Sequence, residues 1–285
     1  MDKIKKIVIP EKKWGGAHLK RIATAAFGLP ILIIFIIYAT PFYFWLLLAG
    51  CILLGLMEFY HLLTKNTTDC FTLTGLGLGL MVSITFFKGS IASVPSSLVI
   101  SLVVMVPFFI SLTQAQDFSI VILKLFGTIV GVFYVAWLLS HLLLIRVLPH
   151  GKNMIFFLLL VVWTGDTAAF YTGKFFGKHK LSPRISPKKT IEGALGGMFG
   201  SILVSAIAHF TFLKQINLAN SIFLGFLLNV FGQLGDLTES LLKRGFRVKD
   251  SGTLIPGHGG ILDRIDSILF AGPALYYYVI LYLHR

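Results

Sequence analysis

Apolar runs of helical length recur along almost the whole chain, separated by short polar connectors. They cover residues 22–38, 41–56, 71–87, 94–112, 120–144, 154–171, 194–213, 222–237 and 268–283. A helix needs about 20 mostly apolar residues to cross a bilayer, so the pattern predicts an all-α, polytopic integral membrane protein with about nine transmembrane helices. Pro41 marks the turn between the first two runs, because proline discourages continuation of a helix. Pro30, Pro107 and Pro273 sit in or near apolar runs, where neighbouring helices tolerate a kink. The fifth run is long enough to tilt or to hold a break. Glycine-rich runs at 75–79 and 193–200 allow helices to approach closely in lipid.

One polar stretch stands out against this background. From Ser240 to Asp266 the chain gathers Lys243, Arg244, Arg247, Lys249, Asp250, His258, Asp263, Arg264 and Asp266 between two apolar runs. The expected organisation is a basic cytoplasmic segment (1–21), N-terminal membrane helices (22–150) and a C-terminal membrane region (151–285) that carries the chemistry.

With 56% hydrophobic and 13% charged residues, the composition excludes an ordinary soluble globular chain. Cys51 and Cys70 lie in or at the end of apolar runs and read as small buried hydrophobes rather than a disulfide. Residues 1–20 lack a continuous apolar region ending in a small-residue cleavage site, so they do not read as a signal peptide. A net charge of +13 would suggest nucleic acid in a soluble protein. Here no nucleic-acid partner is expected, because the positive charges sort by membrane side. With the N-terminus in the cytoplasm, the basic clusters at 1–21, 174–189 and 243–264 share one face. Only Lys88, Arg146, Lys152, Lys214 and Arg285 fall on the other.

Charges in apolar runs are costly, and their positions are informative. Asp166 lies near the cytoplasmic end of the sixth run, either bonded to neighbouring helices or facing a polar cavity as a metal or substrate contact. In the loop 173–193, Ser186, Lys188, Lys189, Thr190 and Glu192 surround an expected helix start. Free N–H groups at such a start favour phosphate, while the plainer role is an anchor for anionic headgroups. On a helix, Asp236, Glu239, Ser240 and Lys243 share one face. Glycines around His258, including Gly259 and Gly260, let backbone approach a ligand. Asp263 and Asp266 are three apart, and oxygen-only donors suit Mg²⁺ shared with phosphates.

The run Ser240-x-Leu242-Lys243-Arg244-x4-Lys249-Asp250-x-Gly252-x2-Ile255-Pro256-x-His258-Gly259-Gly260-Ile261-x-Asp263-Arg264-Ile265-Asp266 resembles the signature of phosphatidate cytidylyltransferases (CDP-diacylglycerol synthases). The blocks Asp166–Lys178 and Ser186–Gly193 resemble that family too, with Phe170 standing where tyrosine is expected. The resemblance covers roughly the second half of the chain; the first five runs match only as generic helices with Glu58 at one end. It implies transfer of a cytidylyl group from CTP to phosphatidic acid, with Mg²⁺ as cofactor, a cytoplasm-facing site and a homodimer; the compact size and lack of a recognisable targeting peptide suit a bacterial inner membrane. The expected metal ligands are Asp236, Asp263 and Asp266, with Asp166 a further candidate. Ser186, Lys188, Lys189 and Thr190 would hold the triphosphate, with Glu192, Ser240, Lys249, Asp250, Gly259 and Gly260 as further substrate-binding positions. Lys243, Arg244 and Arg264 would meet lipid phosphate or leaving group, and His258 would shape the pocket. A CTP-dependent lipid kinase and a transporter with intramembrane carboxylates are the competing readings.

Overall fold

The computed structural model describes residues 28, 30–64, 69–87, 95–248, 251–252 and 259–283. The segment 1–21, Lys249, Asp250 and His258 lie outside the described residues. A helical stretch over 30–38 leads into α1 (Pro41–Thr64), α2 (Cys70–Phe86), α3 (Ser96–Leu112), α4 (Phe118–Val147) and α5 (Gly151–Phe176). A hairpin of β1 (Lys180–Ser182) and β2 (Ser186–Thr190) precedes α6 (Ile191–Thr211), α7 (Leu218–Gly245) and α8 (Leu262–Leu283).

Among the described residues, six helices are long and apolar enough to cross a membrane: α1, α4, α5, α6, α7 and α8. The apolar helices α2 and α3 are shorter. This is a multi-pass, mostly helical membrane protein. Where the apolar runs suggested ends, the helices go further. Helix α7 continues past Leu237 to Gly245, and α8 begins at Leu262 rather than Ile268. Apolarity marks the hydrocarbon layer, whereas helical hydrogen bonding continues into the polar turns beyond it. The loop 173–193 adds an antiparallel hairpin to the helices, pairing Lys180 with Thr190 and Ser182 with Ser186.

The break allowed for in the fifth run is a π-helical stretch, Val132–Trp137, within α4. Pro107 and Pro273 are accommodated inside α3 and α8. Cys51 is half-buried, but Cys70 is exposed in the first turn of α2, so the buried reading of both cysteines does not hold.

Contacts at the connectors sort them into two faces. On one, Lys124 pairs with Asp69 at 2.9 Å. On the other, Arg146 donates to the carbonyls of Ile36 and Ala39, and Lys152 donates to that of Ile37. Helices α5, α6 and α7 join through a buried polar seam. Gln233 donates to Asn229 Oδ1, Asn229 Nδ2 to Ser201 Oγ, and Ser201 to the carbonyl of Val161. In lipid, such hydrogen bonds and small-residue contacts replace the hydrophobic drive that water supplies. The seam sets the depth at which the charged end of α7 meets its neighbours.

Candidate active site

The hairpin brings its lysines to the end of α7. Adjacent strand residues point to opposite sides. Lys188 is exposed, whereas Lys189 turns inward to pair with Asp236. Thr190 ends the strand and caps α6, its hydroxyl accepting from the Gly193 amide at 3.1 Å. Ile191 N donates to His179 O, and the Glu192 carboxylate accepts from the amides of Lys178 and His179. The Glu192 carboxylate and the Ile191 amide thus hold the hairpin against the start of α6, while the Thr190 hydroxyl caps it at the Gly193 amide. Ser186, Lys188 and Lys189 lie on the same hairpin, with side chains that these bonds do not engage.

The polar stripe of α7 forms as its spacing predicts. Ser240 Oγ lies 3.4 Å from Asp236 Oδ1, and Lys243 pairs with Glu239 one turn back. Lys243 also reaches α8, lying 2.6 Å from Asp263 Oδ1. Asp263 Oδ2 accepts from the amides of Ser251 and Gly260 at 3.1 and 2.9 Å, and the Ser251 hydroxyl is 3.0 Å away. Gly259, at φ +82°, makes the turn beside it. Both oxygens of Asp263 are thus engaged by donors. Arg244 Nε donates to Ile185 O at the hairpin's turn, and Arg244 and Arg264 are exposed.

Asp166, Asp236 and Asp266 differ from Asp263. They project from α5, α7 and α8, close enough for each pair to feel the other's charge, with Lys189 offsetting Asp166. Asp166 is exposed although it lies well inside a membrane-length helix. Asp266 Oδ1 accepts from the Ser267 amide at 2.6 Å. Three carboxylates in mutual reach repel unless a cation joins them. Among the described residues no three acidic, histidine or cysteine side chains form a preformed metal cage. An open, oxygen-only set matches an ion that keeps its waters and binds jointly with substrate phosphates.

Two residues of the first half also reach this region. Glu58 of α1 accepts from the amides of Ile261 and Leu262 and from the Ser251 hydroxyl. Tyr134, in the π-helical stretch, buries its hydroxyl within the electrostatic reach of Glu239, Asp266 and Asp236. Neither was assigned a role from sequence. A lone carboxylate in an apolar run was the signal available for Glu58, and nothing in the sequence distinguished Tyr134 from the other aromatics.

A sequence profile of the cytidylyltransferase family matches residues 19–282. The chain belongs to this family. Proteins named phosphatidate cytidylyltransferase are similar to it. The one from Bacillus subtilis (strain 168) is 46% identical over 133 residues, covering 47% of this chain and 49% of that protein. The one from Staphylococcus aureus (strain COL) is 52% identical over 129 residues, 44% of this chain and 48% of that protein. The one from Staphylococcus haemolyticus is 50% identical over 125 residues, with coverages of 44% and 48%. The chain spans about half the length of the curated relatives it matches, while the family profile extends through nearly all of it, including the helices that carry Glu58 and Tyr134.

Proposed function

We propose that the protein transfers the cytidylyl group of CTP to phosphatidic acid, giving CDP-diacylglycerol and pyrophosphate. The observation that carries this reading is the Lys189–Asp236 pair beside Asp166 and Asp266. It sets an anion-binding ammonium next to cation-binding carboxylates at the end of a membrane helix, in a chain of the cytidylyltransferase family.

The reaction needs no activated serine or cysteine. A phosphate oxygen of phosphatidic acid attacks the α-phosphorus of CTP, and the bond to the bridging oxygen breaks as pyrophosphate leaves. The protein must hold two anions in line and offset their charge. Lys188, Lys189 and Ser186 are assigned to the triphosphate. Arg244 and Arg264, exposed at the same end, are assigned to the lipid phosphate. Lys243 and Asp263 fix α7 against α8, so that Asp236 and Asp266 keep their spacing. Asp166, Asp236 and Asp266 would hold Mg²⁺, which supplies charge neutralisation on the phosphates when bound. Lys249, Asp250 and His258 keep the substrate-contact roles that the resemblance implies.

The finer architecture belongs to the same proposal. It has nine crossings, the N-terminus and site on the cytoplasmic side of a bacterial plasma membrane, and a homodimer. The sorting of basic residues supports the orientation; the dimer rests on the resemblance alone.

The test is an assay of purified protein with CTP labelled at the α- or γ-phosphate, phosphatidic acid, and Mg²⁺ present or withheld. Label from the α-phosphate should enter lipid, and only with the divalent ion. Transfer of the γ-label would make the protein a kinase, and no transfer to phosphatidic acid would remove the proposal.

A further inference from the structure

Helix α8 starts without a cap of its own. Ile261 stands at the N-cap position and makes no side-chain hydrogen bond to the first turn. The first N–H groups of a helix need acceptors, usually from a serine, threonine or aspartate at that position. Here the acceptor comes from α1, some 200 residues earlier in the chain: Glu58 Oε1 accepts from Ile261 N, and Oε2 from Leu262 N, both at 2.9 Å. A carboxylate at this end of a helix also meets the positive end of its dipole.

The surroundings are shaped to admit that carboxylate. A Cβ on Gly252 would sit 2.6 Å from Glu58 Oε1, and one on Gly260 would overlap both Glu58 Oε2 and the Ser251 hydroxyl. The Ser251 hydroxyl lies 3.0 Å from Glu58 and from Asp263, so its single proton links the two acids. The chain of contacts continues through Asp263 to Lys243 and Glu239 on α7. Asp266 lies one helical turn beyond Leu262, so the position of its carboxylate follows from where the first turn is held.

We propose that Glu58 is a positioning residue, capping α8 from another helix and thereby setting Asp266 against Asp166 and Asp236 for a metal–nucleotide complex. This rests on the functional reading above. Both Glu58 oxygens are taken up by Ile261, Leu262 and Ser251, so its effect must appear in how well the carboxylate trio holds a cation.

The test compares wild type with Glu58→Gln and Gly260→Ala. The first turns an acceptor into an amide that faces donors; the second keeps the carboxylate but fills its place. Three quantities are measured in detergent: Mn²⁺ binding with CTP by electron paramagnetic resonance, the Mg²⁺ concentration giving half-maximal activity, and hydrogen exchange in residues 259–266. Both variants should weaken Mn²⁺ binding about 10- to 100-fold, the range found when residues that orient metal ligands are lost. They should raise the half-maximal Mg²⁺ concentration in parallel, with faster exchange confined to the start of α8. Wild-type Mn²⁺ affinity in a folded Glu58→Gln protein would overturn the proposal, as would losses that only track global unfolding. If wild type makes no CDP-diacylglycerol, the reaction assignment falls by itself, and the Mn²⁺ and exchange comparisons still decide the role of Glu58.

Discussion

Lys243 at the end of α7 lies 2.6 Å from Asp263 Oδ1 at the start of α8. The two acids of α8 therefore have different partners, although they sit three residues apart on one helix. Asp263 is engaged by Lys243, Ser251 and the Gly260 amide. Asp266 accepts from the Ser267 amide and meets the charges of Asp166 and Asp236.

Asparagine substitutions should separate these roles. Breaking a largely buried ion pair by removing one partner costs about 3 kcal/mol or more. Asp263→Asn should accordingly lower the detergent melting temperature and lose activity along with it. Asp266→Asn removes a carboxylate that repels its neighbours, so it should leave the melting temperature unchanged or higher while abolishing turnover. Equal melting temperatures for the two variants would refute this division of labour.

Backbone spacing between α7 and α8 should matter as much as the charges. A Cβ on Gly235 would fall well inside contact distance of the Asp266 carbonyl oxygen. Backbone cannot rotate away as a flexible side chain can, so Gly235→Ala must push the helices apart at the site. Overpacking of this kind costs about 1–3 kcal/mol. Cytidylyl transfer should fall by more than that loss of folded protein accounts for, because Asp236 and Asp266 separate. Undiminished specific activity in the alanine variant would show that the close approach is not required.

The sequence made some of this legible and hid the rest for physical reasons. Helical spacing put Asp236, Ser240 and Lys243 on one face, and the structure keeps them there. The same spacing placed Asp263 and Asp266 together but carried no information on their partners, which come from the loop before α8 and from α7. The hairpin over 180–190 was unreadable because its strands are basic and lack alternating apolar residues; pairing comes from Glu192 and Thr190 holding its base. Glu58 contacts residues 203 and 204 positions away, a separation that no local pattern encodes. Asp166 was visible because one acid in an apolar run is costly without a role; Glu58 carried the same signal but nothing that named its partners.

Acid should expose a weak point away from the site. Asp69 caps α2, accepting from the Thr72 amide at 2.9 Å, and pairs with Lys124. Burial pushes its carboxyl up, but the bonds from Lys124 and Thr72 outweigh this and hold it below the ordinary value of 3.8. A folded value below the unfolded one gives stability that is fully present above about pH 4 and lost as pH falls through the folded value. Asp69→Asn keeps a good capping side chain but removes the titrating charge. Its melting temperature should be lower at neutral pH by the equivalent of about 1 kcal/mol, with a flatter acid limb than wild type. Parallel acid limbs in the two proteins would exclude Asp69 as a source of the pH dependence.

Lys189 offers the sharpest test of nucleotide binding, because its ammonium is paired with Asp236 and sits half-buried at the hairpin's end. Lysine provides a point charge suited to phosphate, and a hydrogen bond to a charged group contributes about 1.5–3 kcal/mol. Lys189→Ala should therefore raise the KM for CTP about 10- to 100-fold, since each 1.4 kcal/mol is a factor of about ten. The KM for phosphatidic acid should change little, because that lipid phosphate is assigned to Arg244 and Arg264. The same substitution leaves Asp236 without its ammonium and beside Asp166 and Asp266, so added repulsion should appear as a higher Mg²⁺ requirement. Lys189→Arg restores charge but not the compact ammonium, and should recover the Mg²⁺ requirement more fully than the KM for CTP. An alanine variant with wild-type CTP dependence would remove Lys189 from the triphosphate site, even if turnover itself were reduced.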